Sequence, residues 1–256
     1  MEIKGNAAVV TGGAGGLGEA AARLLHANGA RVVLFDRDEE RCQALARALG
    51  DGAVAICGDA TSPQDTAAAI ELAATLGPLR VLVACAGGSA RSTRILSRDG
   101  TPHDLGLFAE ALNLNVVSTF NSLRLAAQAM ARLAPERDGE RGVVVMTSSI
   151  AAYEGQIGQI AYGAAKAAIA GMTVIAARDL AATGIRVNTI APGIMDTRAW
   201  DAAPARLRET LEAKVPFPRR FGAPDEFAAT VRYLIETCYV NGHVLRLDGG
   251  IRFDPK

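Results

Sequence analysis

Two side chains in the second half of the sequence could carry out proton transfer. Tyr162 and Lys166 are four residues apart in a stretch that predicts a helix, so a phenol and an ammonium lie on one helical face and can act on one bound molecule. A nearby ammonium favours the phenolate and lowers the phenol pKa from its reference value of about 10. The spacing therefore indicates an acid/base pair, in which we expect Lys166 to lower the pKa of Tyr162.

A glycine-rich segment near the start, residues 11–18, could bind a phosphate group. Its missing side chains would let the backbone approach a pyrophosphate, and the following helix would supply N–H donors. A tight turn without a ligand has the same composition, but Asp36 closes the second predicted strand about twenty residues later, which supports dinucleotide binding. Its carboxylate can bond the adenosine ribose and repel a 2′-phosphate, which predicts NAD rather than NADP. Arg37 could attract that phosphate and leaves the alternative open.

Short apolar runs alternate with longer helical patterns along the chain. The predicted strands cover residues 7–10, 31–35, 54–56, 81–84, 143–146, 186–190 and 244–247. Between them lie amphipathic stretches such as residues 17–27, 39–49 and 64–76. Strands that are apolar on both faces and separated by helices predict a parallel sheet covered on both sides. The sequence therefore predicts an α/β fold, a doubly wound Rossmann fold with a seven-stranded parallel sheet, in a single domain over residues 1–256.

Ligands in doubly wound sheets bind beyond the carboxyl ends of the strands, so the site should lie in the loops there. The candidate residues follow the predicted strands: Gly12, Gly16, Leu17 and Gly18 after the first, Asp59 and Ala60 after the third, Cys85, Ala86 and Gly87 after the fourth, Ser149 after the fifth, and Pro192 and Gly193 after the sixth. We expect these segments to converge on one ligand.

The composition argues against several classes of partner. The 27 basic and 27 acidic residues give zero net charge, and no basic run is long enough to follow a nucleic acid backbone. No segment approaches the roughly 20 apolar residues that span a bilayer, so we expect no membrane contact and a cytoplasmic location. The four cysteines and three histidines are scattered, which predicts reduced core thiols and no metal site.

The motifs together resemble those of the short-chain dehydrogenase/reductase family. That family combines a Thr-Gly-x-x-x-Gly-x-Gly turn, an Asn in the fourth helix, a Ser and a Tyr-x-x-x-Lys pair, and all of them occur here in this order, with Asn115 and Ser149 ahead of Tyr162 and Lys166. The resemblance covers nearly the whole chain. It implies an NAD-dependent enzyme that interconverts a secondary alcohol and a ketone.

Three further segments resemble one branch of that family, the type 2 3-hydroxyacyl-CoA dehydrogenases, which are also known for hydroxysteroid activity. These segments are residues 153–159, 215–218 and 246–252. They discriminate better than the catalytic motif, which all active relatives share. The resemblance implies an acyl-CoA thioester as the small-molecule substrate and a homotetramer as the assembly.

The resemblance also implies the role of each catalytic residue. Tyr162 would exchange a proton with the substrate hydroxyl, Lys166 would also hold the nicotinamide ribose, and Ser149 would hydrogen-bond the substrate oxygen. Asn115 would hold a water molecule that links Lys166 to solvent. Taken singly, Ser149 could instead cap a turn and Asn115 could satisfy buried backbone groups, but the order and setting of the four residues favour catalysis.

Further contacts follow from the same resemblance. Asp59 would bond the adenine amino group and Thr197 the nicotinamide carboxamide, each with helix capping as the alternative. Gln159 would face the substrate or lie at the surface. Cys85 agrees with the hydroxyacyl-CoA branch, but Ala84 stands where the family usually has an asparagine, which puts the local stability of the sheet in question.

Two segments outside the strands could contact the substrate. Residues 194–221 would form a mobile lid whose apolar side chains could cover an acyl chain or a steroid, or could simply pack the segment onto the core. Residues 89–105 could meet the phosphates of coenzyme A or remain an exposed charged loop. The basic residues of this insertion are Arg91, Arg94, Arg98 and His103.

Three functions remain open at this point. The first is a 3-hydroxyacyl-CoA dehydrogenase, and the second is a 3-oxoacyl-carrier-protein reductase or a hydroxysteroid dehydrogenase. Asp36 disfavours the carrier-protein reductase because biosynthetic reduction usually draws on NADPH. The third is a non-enzymatic scaffold, which the intact catalytic set disfavours, although a fold alone never fixes function.

Overall fold

Seven parallel strands form one sheet in a computed structural model that describes residues 1–89 and 91–255. The strands are β1 Ala7–Thr11, β2 Arg31–Asp36, β3 Ala53–Cys57, β4 Leu79–Ala84, β5 Gly142–Thr147, β6 Ile185–Pro192 and β7 Val244–Leu247. Their order is β3-β2-β1-β4-β5-β6-β7, and all neighbours are parallel. The predicted fold class is confirmed, and the predicted strand ends differ from the observed ones by at most two residues.

Helices cover both faces of this sheet. In the described part of the chain they are α1 Gly16–Ala27, α2 Glu39–Leu49, α3 Pro63–Leu76, α4 Leu105–Leu112, α5 Ser118–Met130, α6 Ile160–Asp179, α7 Ala205–Glu212 and α8 Pro224–Glu236. Side chains of α1, α2 and α8 build the core on one face, and those of α3, α5 and α6 build the core on the other. The order of strands reverses between β1 and β4, which is where a doubly wound sheet opens its ligand crevice.

The central strands are buried on both faces, which explains their continuous apolar runs. All five residues of β1 are buried. Ala8 and Val10 point into the core beneath α1 and α8, whereas Ala7 and Val9 point into the core beneath α3 and α5. Side chains alternate along a strand, so a strand with helices on both sides needs apolar residues at every position.

A π-helical turn over Asn113–Val117 joins α4 to α5. Asp104 starts α4 by accepting the backbone N–H of Gly106, and the helix then continues through the π turn into α5 without a break. A π turn contains one residue more than an α turn and is frequent at functional sites. Here it holds Asn115 fully buried beside the loop that follows β4.

The four cysteines are free, as predicted, but the expectation that all are core thiols is wrong for two of them. Cys42 is buried under α2, whereas Cys57 and Cys238 are exposed. Cys57 ends β3, which is an edge strand of the sheet and has a neighbour on one side only. Cys238 lies in the turn after α8.

Helix α6 corrects the expectation that no segment could span a membrane. By length and composition alone this helix suffices, because an 18-residue window within it has a mean hydropathy of 1.5. Many of these residues are alanines, and Tyr162 and Lys166 interrupt the apolar run, so the pattern is inconspicuous in the sequence. In the structure α6 packs against β6 and α4 as part of the domain, and such a core helix passes the same composition test.

Candidate active site

A cleft of about 430 Å³ opens at the carboxyl ends of the strands, and a smaller cavity of about 140 Å³ adjoins it. Gly12, Cys85 and Gly87 line both. The predicted residues that line the cleft are Gly12, Gly16, Leu17, Gly18, Cys85, Gly87, Ser149, Gln159, Tyr162, Lys166, Pro192, Gly193 and Thr197. Those that line the smaller cavity besides the shared ones are Asp36, Asp59, Ala60 and Ala86. The structure therefore brings together the predicted site residues, apart from Asn115, along one continuous surface.

Ser149 follows β5 and occupies the start of a short helical turn, Ile150–Ala152. Its hydroxyl oxygen accepts the backbone N–H of Ala151 at 3.1 Å, so the turn-capping alternative is correct. The same hydroxyl also interacts with the phenol of Tyr162 and lowers its pKa. Capping fixes the direction of the Ser149 side chain, and the residue serves both purposes.

Lys166 is buried in the middle of α6, with its ammonium in the cleft. Its Nζ donates to the carbonyl oxygen of Thr147 at 3.1 Å, and the Ser148 hydroxyl donates to the Lys166 carbonyl oxygen at 2.7 Å. These two bonds join α6 to the end of β5. Burial lowers the pKa of Lys166 to about 8, because an ammonium loses its hydration there.

The expected lowering of the Tyr162 pKa by Lys166 is not seen. Burial raises the pKa of Tyr162, and its interaction with the Ser149 hydroxyl acts in the opposite direction. The Lys166 ammonium lies 5.7 Å from the centre of the Tyr162 ring and bonds the carbonyl oxygen of Thr147. The loss of water around a buried phenol therefore outweighs the other influences, and Tyr162 is held as a neutral proton donor.

Asn115 braces the backbone of the cleft from below. Its side-chain oxygen accepts the N–H of Gly88 at 3.2 Å, and its amide nitrogen donates to the carbonyl oxygens of Gly88 and Ala111. The alternative that Asn115 satisfies buried backbone groups is thus correct. A Cβ atom on Gly87 would lie 2.6 Å from the Asn115 oxygen and 3.5 Å from Lys166 Nζ, so Asn115 also lies near the Lys166 ammonium. The water-holding role stays a prediction.

The glycine-rich turn is shaped to leave its backbone open to a ligand. Gly12 has a φ of 66°, and a Cβ atom there would lie 2.8 Å from the carbonyl oxygen of Cys85. Gly15 is the N-cap residue of α1 and provides no side-chain cap, so no side chain occupies the N–H groups of the first helical turn. These donors and the positive end of the helix suit a pyrophosphate, and the turn fits a dinucleotide.

Asp36 supports the glycine-rich turn as well as the smaller cavity. Its carboxylate accepts the N–H of Ala14 at 3.1 Å and the N–H of Asp38 at 3.2 Å. Each carboxylate oxygen has a second lone pair for a ribose hydroxyl. Arg37, the residue that could have attracted a 2′-phosphate, forms an ion pair with Asp59 at 3.7 Å.

Asp59 does not cap α3, so that alternative is wrong. Ser62 caps the helix by accepting the N–H of Asp65, whereas Asp59 accepts the N–H and the hydroxyl of Thr61, each at 2.8 Å. The backbone bond from Thr61 is the main cause that lowers the pKa of Asp59. The carboxylate is therefore charged and lines the smaller cavity beside Ala60.

Thr197 lines the cleft in the segment that follows β6. It makes no side-chain capping bond to the short turn Arg198–Trp200 that follows, and its methyl group would lie 2.8 Å from a Cβ atom on Gly16. Glycine at position 16 is thus required for the approach of Thr197 to the phosphate turn. This contact joins the segment after β6 to the start of α1.

The chain directly after Ala84 is bonded to the end of β1, and the effect of Ala84 on local stability stays a prediction. The Thr11 hydroxyl accepts the N–H of Ala86 at 3.1 Å, and the Thr11 carbonyl oxygen accepts the N–H of Cys85. The Cys85 thiol lies 3.4 Å from the Thr147 hydroxyl, and burial raises its pKa to about 11. Cys85 is therefore an unreactive thiol that packs under the cleft.

Several residues of the cleft were not predicted as site residues. Gln156 lies beside Gln159, whose side-chain oxygen is buried without a hydrogen-bond partner among the described residues. The other additions are apolar or small, namely Gly15, Gly88, Thr147, Ser148, Ala151, Ile194, Met195, Trp200, Leu211 and Phe253. The aromatic and aliphatic pattern of residues 194–221 indicated Trp200 and Leu211, whereas Phe253 follows the last strand and gives no spacing signal.

The apolar side chains of residues 194–221 divide between the two predicted uses. Trp200 and Leu211 face the cleft, Val215 and Phe221 are buried in a small core with Ile251, and Phe217 is 82% exposed. Part of the segment is thus available to a substrate and part anchors it. The segment contains α7, and Met195 near its start forms an isolated β-bridge with Gly222, directly after its end.

The basic insertion lies along the outer side of the cleft. Thr93 donates its N–H to the carbonyl oxygen of Gly158 at 2.9 Å, next to Gln159. Arg94 borders a second cavity of about 530 Å³ that shares Gln156 and Gln159 with the cleft, whereas Arg91 and Arg98 are exposed. His103 bonds the carbonyl oxygen of Asp104 and takes no part in the cleft. No group of three potential metal-ligating side chains occurs within residues 1–89 and 91–255.

Comparison with known proteins extends over the whole chain. Residues 6–207 match the sequence model of the family described as short chain dehydrogenase. The 3-hydroxyacyl-CoA dehydrogenase type-2 of Homo sapiens is 44% identical, over 99% of this chain and 97% of the human protein. The protein of the same name from Drosophila melanogaster is 43% identical, over 99% of this chain and 100% of its own.

Two solved structures are similar to the described fold. The crystal structure of 3-hydroxyacyl-CoA dehydrogenase type-2 from Mycobacterium avium shares 49% identity, with a TM-score of 0.97 and 98% coverage of both chains. A 7 alpha-hydroxysteroid dehydrogenase complexed with NADH and 7-oxo glycochenodeoxycholic acid shares 29% identity, with a TM-score of 0.87 and coverage of 100% of this chain and 97% of the other.

Proposed function

Because this chain belongs to the short-chain dehydrogenase family, we propose that it is an NAD-dependent 3-hydroxyacyl-CoA dehydrogenase that interconverts 3-hydroxyacyl-CoA and 3-oxoacyl-CoA. The observation that carries the proposal is a single cleft that joins Ser149, Tyr162 and Lys166 to an apolar wall. The catalytic groups suit a hydroxyl or ketone, and the wall suits an acyl chain. The names of the human and Drosophila relatives support the thioester.

The cofactor would extend along the two adjoining cavities. The glycine-rich turn would hold the pyrophosphate, Asp36 the adenosine ribose, and Asp59 the adenine amino group. Pro192, Gly193 and Thr197 would border the nicotinamide. When bound, NAD accepts a hydride from the carbinol carbon, or NADH donates one to the carbonyl carbon.

Residues of the chain bind the substrate oxygen and transfer its proton. In the reduction, the neutral Tyr162 phenol donates a proton to the ketone oxygen while the Ser149 hydroxyl donates a hydrogen bond to the same atom. The charged Lys166 favours the phenolate that results, and in the oxidation the same phenolate takes the proton back. The buried setting of Tyr162 suits reduction, because it keeps the proton on the phenol until it is needed.

A hydroxysteroid is the second candidate substrate. The apolar side chains Trp200, Leu211 and Phe253 could cover a flat ring system as well as an acyl chain, and a hydroxysteroid dehydrogenase is among the similar structures. A carrier-bound substrate is less favoured, since Asp36 would repel the 2′-phosphate of NADPH.

The proposal is tested by measuring oxidation of NADH and of NADPH with acetoacetyl-CoA, a steroid ketone and a 3-oxo ester that is not linked to coenzyme A. We expect turnover of the thioester with NADH. Turnover of the steroid alone would retain the chemistry and replace the substrate. No turnover of any ketone would contradict the enzyme assignment and favour a non-enzymatic scaffold.

Assembly, the lid and the location extend this proposal. The exposed apolar side chains Val117, Phe120, Val174 and Ile175 on α6 and around α5 support a homotetramer, because apolar patches of this kind usually lie in interfaces. Light scattering on purified protein checks the mass of the assembly.

Residues 194–221 would close over the substrate as a lid. The four free cysteines fit a cytoplasmic location, which cell fractionation checks.

A further inference from the structure

We propose that Phe253, in the C-terminal tail, ends the acyl-binding part of the cleft and sets the longest chain that the enzyme accepts. The inference rests on the proposed function, since it concerns the substrate of the same site. Phe253 lines the cleft together with Trp200 and Leu211, and Ser149 and Tyr162 line the same cleft. No catalytic role is assigned to it.

The tail, residues 248–255, contacts two segments that contribute residues to the cleft. On one side, the carbonyl oxygen of Pro255 accepts the N–H of Ile157 at 3.0 Å, in the loop that also contains Gln156 and Gln159. On the other side, Asp254 forms an ion pair with Lys214 at 3.1 Å, in the segment that follows α7. Phe253 is therefore followed directly by two residues that bind these two segments.

The ring of Phe253 is backed by packed side chains. It contacts the small core that contains Ile194, Val215, Phe221 and the fully buried Ile251. A ring with a packed core behind it gives way less easily than an exposed loop side chain. A substrate chain that reaches Phe253 would therefore have to end there or turn.

Ion pairs hold the base of the tail. Arg246 on β7 bonds both carboxylate oxygens of Glu154, at 2.7 and 2.8 Å, and also bonds Asp248 at 2.7 Å. Arg252, next to Phe253, lies 3.1 Å from Asp248 and 3.4 Å from Glu154. Bidentate arginine pairs fix both distance and direction, so the backbone that precedes Phe253 is held in place.

The size of residue 253 should therefore decide the chain-length profile. The test compares wild type, Phe253→Leu and Phe253→Trp in the full-length protein, with kcat/KM measured for acetoacetyl-CoA and for 3-oxodecanoyl-CoA. We expect the ratio of long-chain to short-chain kcat/KM to rise about tenfold in Phe253→Leu and to fall about tenfold in Phe253→Trp, because a few methylenes in an apolar pocket have effects of this order. Tyr239→Leu is the matched control, since Tyr239 is exposed in the turn after α8 and lies outside the cleft, and it should leave the ratio unchanged.

The outcomes separate this inference from the proposed function. Wild-type turnover of acetoacetyl-CoA with unchanged ratios in both Phe253 variants overturns the role of Phe253 and leaves the dehydrogenase assignment standing. If wild type turns over no thioester, the proposed function fails. The same ratio measured with short and long 3-oxo esters that are not linked to coenzyme A then still decides whether Phe253 limits the cleft. Thermal unfolding of each variant identifies any loss of folding, and the tryptophan variant decides alone if the leucine variant is unfolded.

Discussion

Lys166 donates a hydrogen bond from its ammonium to the carbonyl oxygen of Thr147 at 3.1 Å, which joins the middle of α6 to the last residue of β5. The bond fixes the ammonium 5.7 Å from the ring centre of Tyr162. Because the residue is buried, its charge is retained only at a pH below its lowered pKa of about 8. The charge of the site thus changes near physiological pH.

The pH dependence of ketone reduction should follow Lys166. Burial raises the pKa of Tyr162, so the phenol stays protonated through the neutral range, whereas Lys166 loses its proton as the pH rises through about 8. We therefore expect kcat/KM for reduction to be constant near pH 7 and to fall about tenfold per pH unit well above 8. Steady-state rates with saturating NADH check this, and a rate that rises between about pH 7 and 9 would contradict it.

Removing the phenol oxygen of Tyr162 should abolish most of the activity. We expect Tyr162→Phe to lower kcat about 100- to 10,000-fold with little change in thermal stability, because only the proton donor is lost. Tyr153→Phe is the matched control, since Tyr153 is half exposed and lies outside the cleft. Near wild-type turnover in a folded Tyr162→Phe protein would defeat the catalytic assignment.

Cofactor preference should depend on the charge of Asp36. Asp36→Asn retains a side-chain oxygen for the Ala14 N–H but removes the charge that repels a 2′-phosphate. We expect the ratio of kcat/KM for NADPH to that for NADH to rise about 10- to 100-fold, as loss of roughly 1.4–2.8 kcal/mol of repulsion predicts. Asp38→Asn, at the start of α2, is the control for charge loss nearby. An unchanged ratio in Asp36→Asn would show that another group selects the cofactor.

The basic insertion should matter for thioesters only. We expect Arg91→Glu and Arg94→Glu to raise KM for acetoacetyl-CoA about tenfold, by repelling the coenzyme A phosphates, and to leave KM for a small unesterified ketone unchanged. Arg132→Glu, an exposed arginine at the far end of α5, controls for net charge. Equal increases with both substrates would place the effect in the fold instead of the coenzyme A contact.

Much of the site could be predicted because it lies where apolar strands end. Every strand was predicted within two residues of its observed ends, and Asp36 and Ser149 follow directly from those ends. The sequence predicts the turn cap and the catalytic role of Ser149 as alternatives. It does not show that Ser149 can cap the turn and interact with Tyr162 at the same time.

Three features could not be predicted because they depend on packing between distant segments. Burial raises the pKa of Tyr162, although the four-residue spacing to Lys166 alone predicts a lower value. Arg186 begins the predicted sixth strand, but the sequence does not show that it is buried and paired with Glu140 at 2.7 Å. Phe253 enters the cleft only because the tail turns back across it after β7.

The π turn over Asn113–Val117 sets the helical phase of the chain that follows it. One inserted residue rotates all later side chains by about 100° around the helix axis. With this rotation, Asn115 meets Gly88 under the cleft, while Asn121 in α5 donates to the carbonyl oxygen of Ala60 at 3.0 Å. Deleting a single residue there would turn the inner side of α5 toward water and leave α4 where it is, so the local residue count matters as much as residue identity.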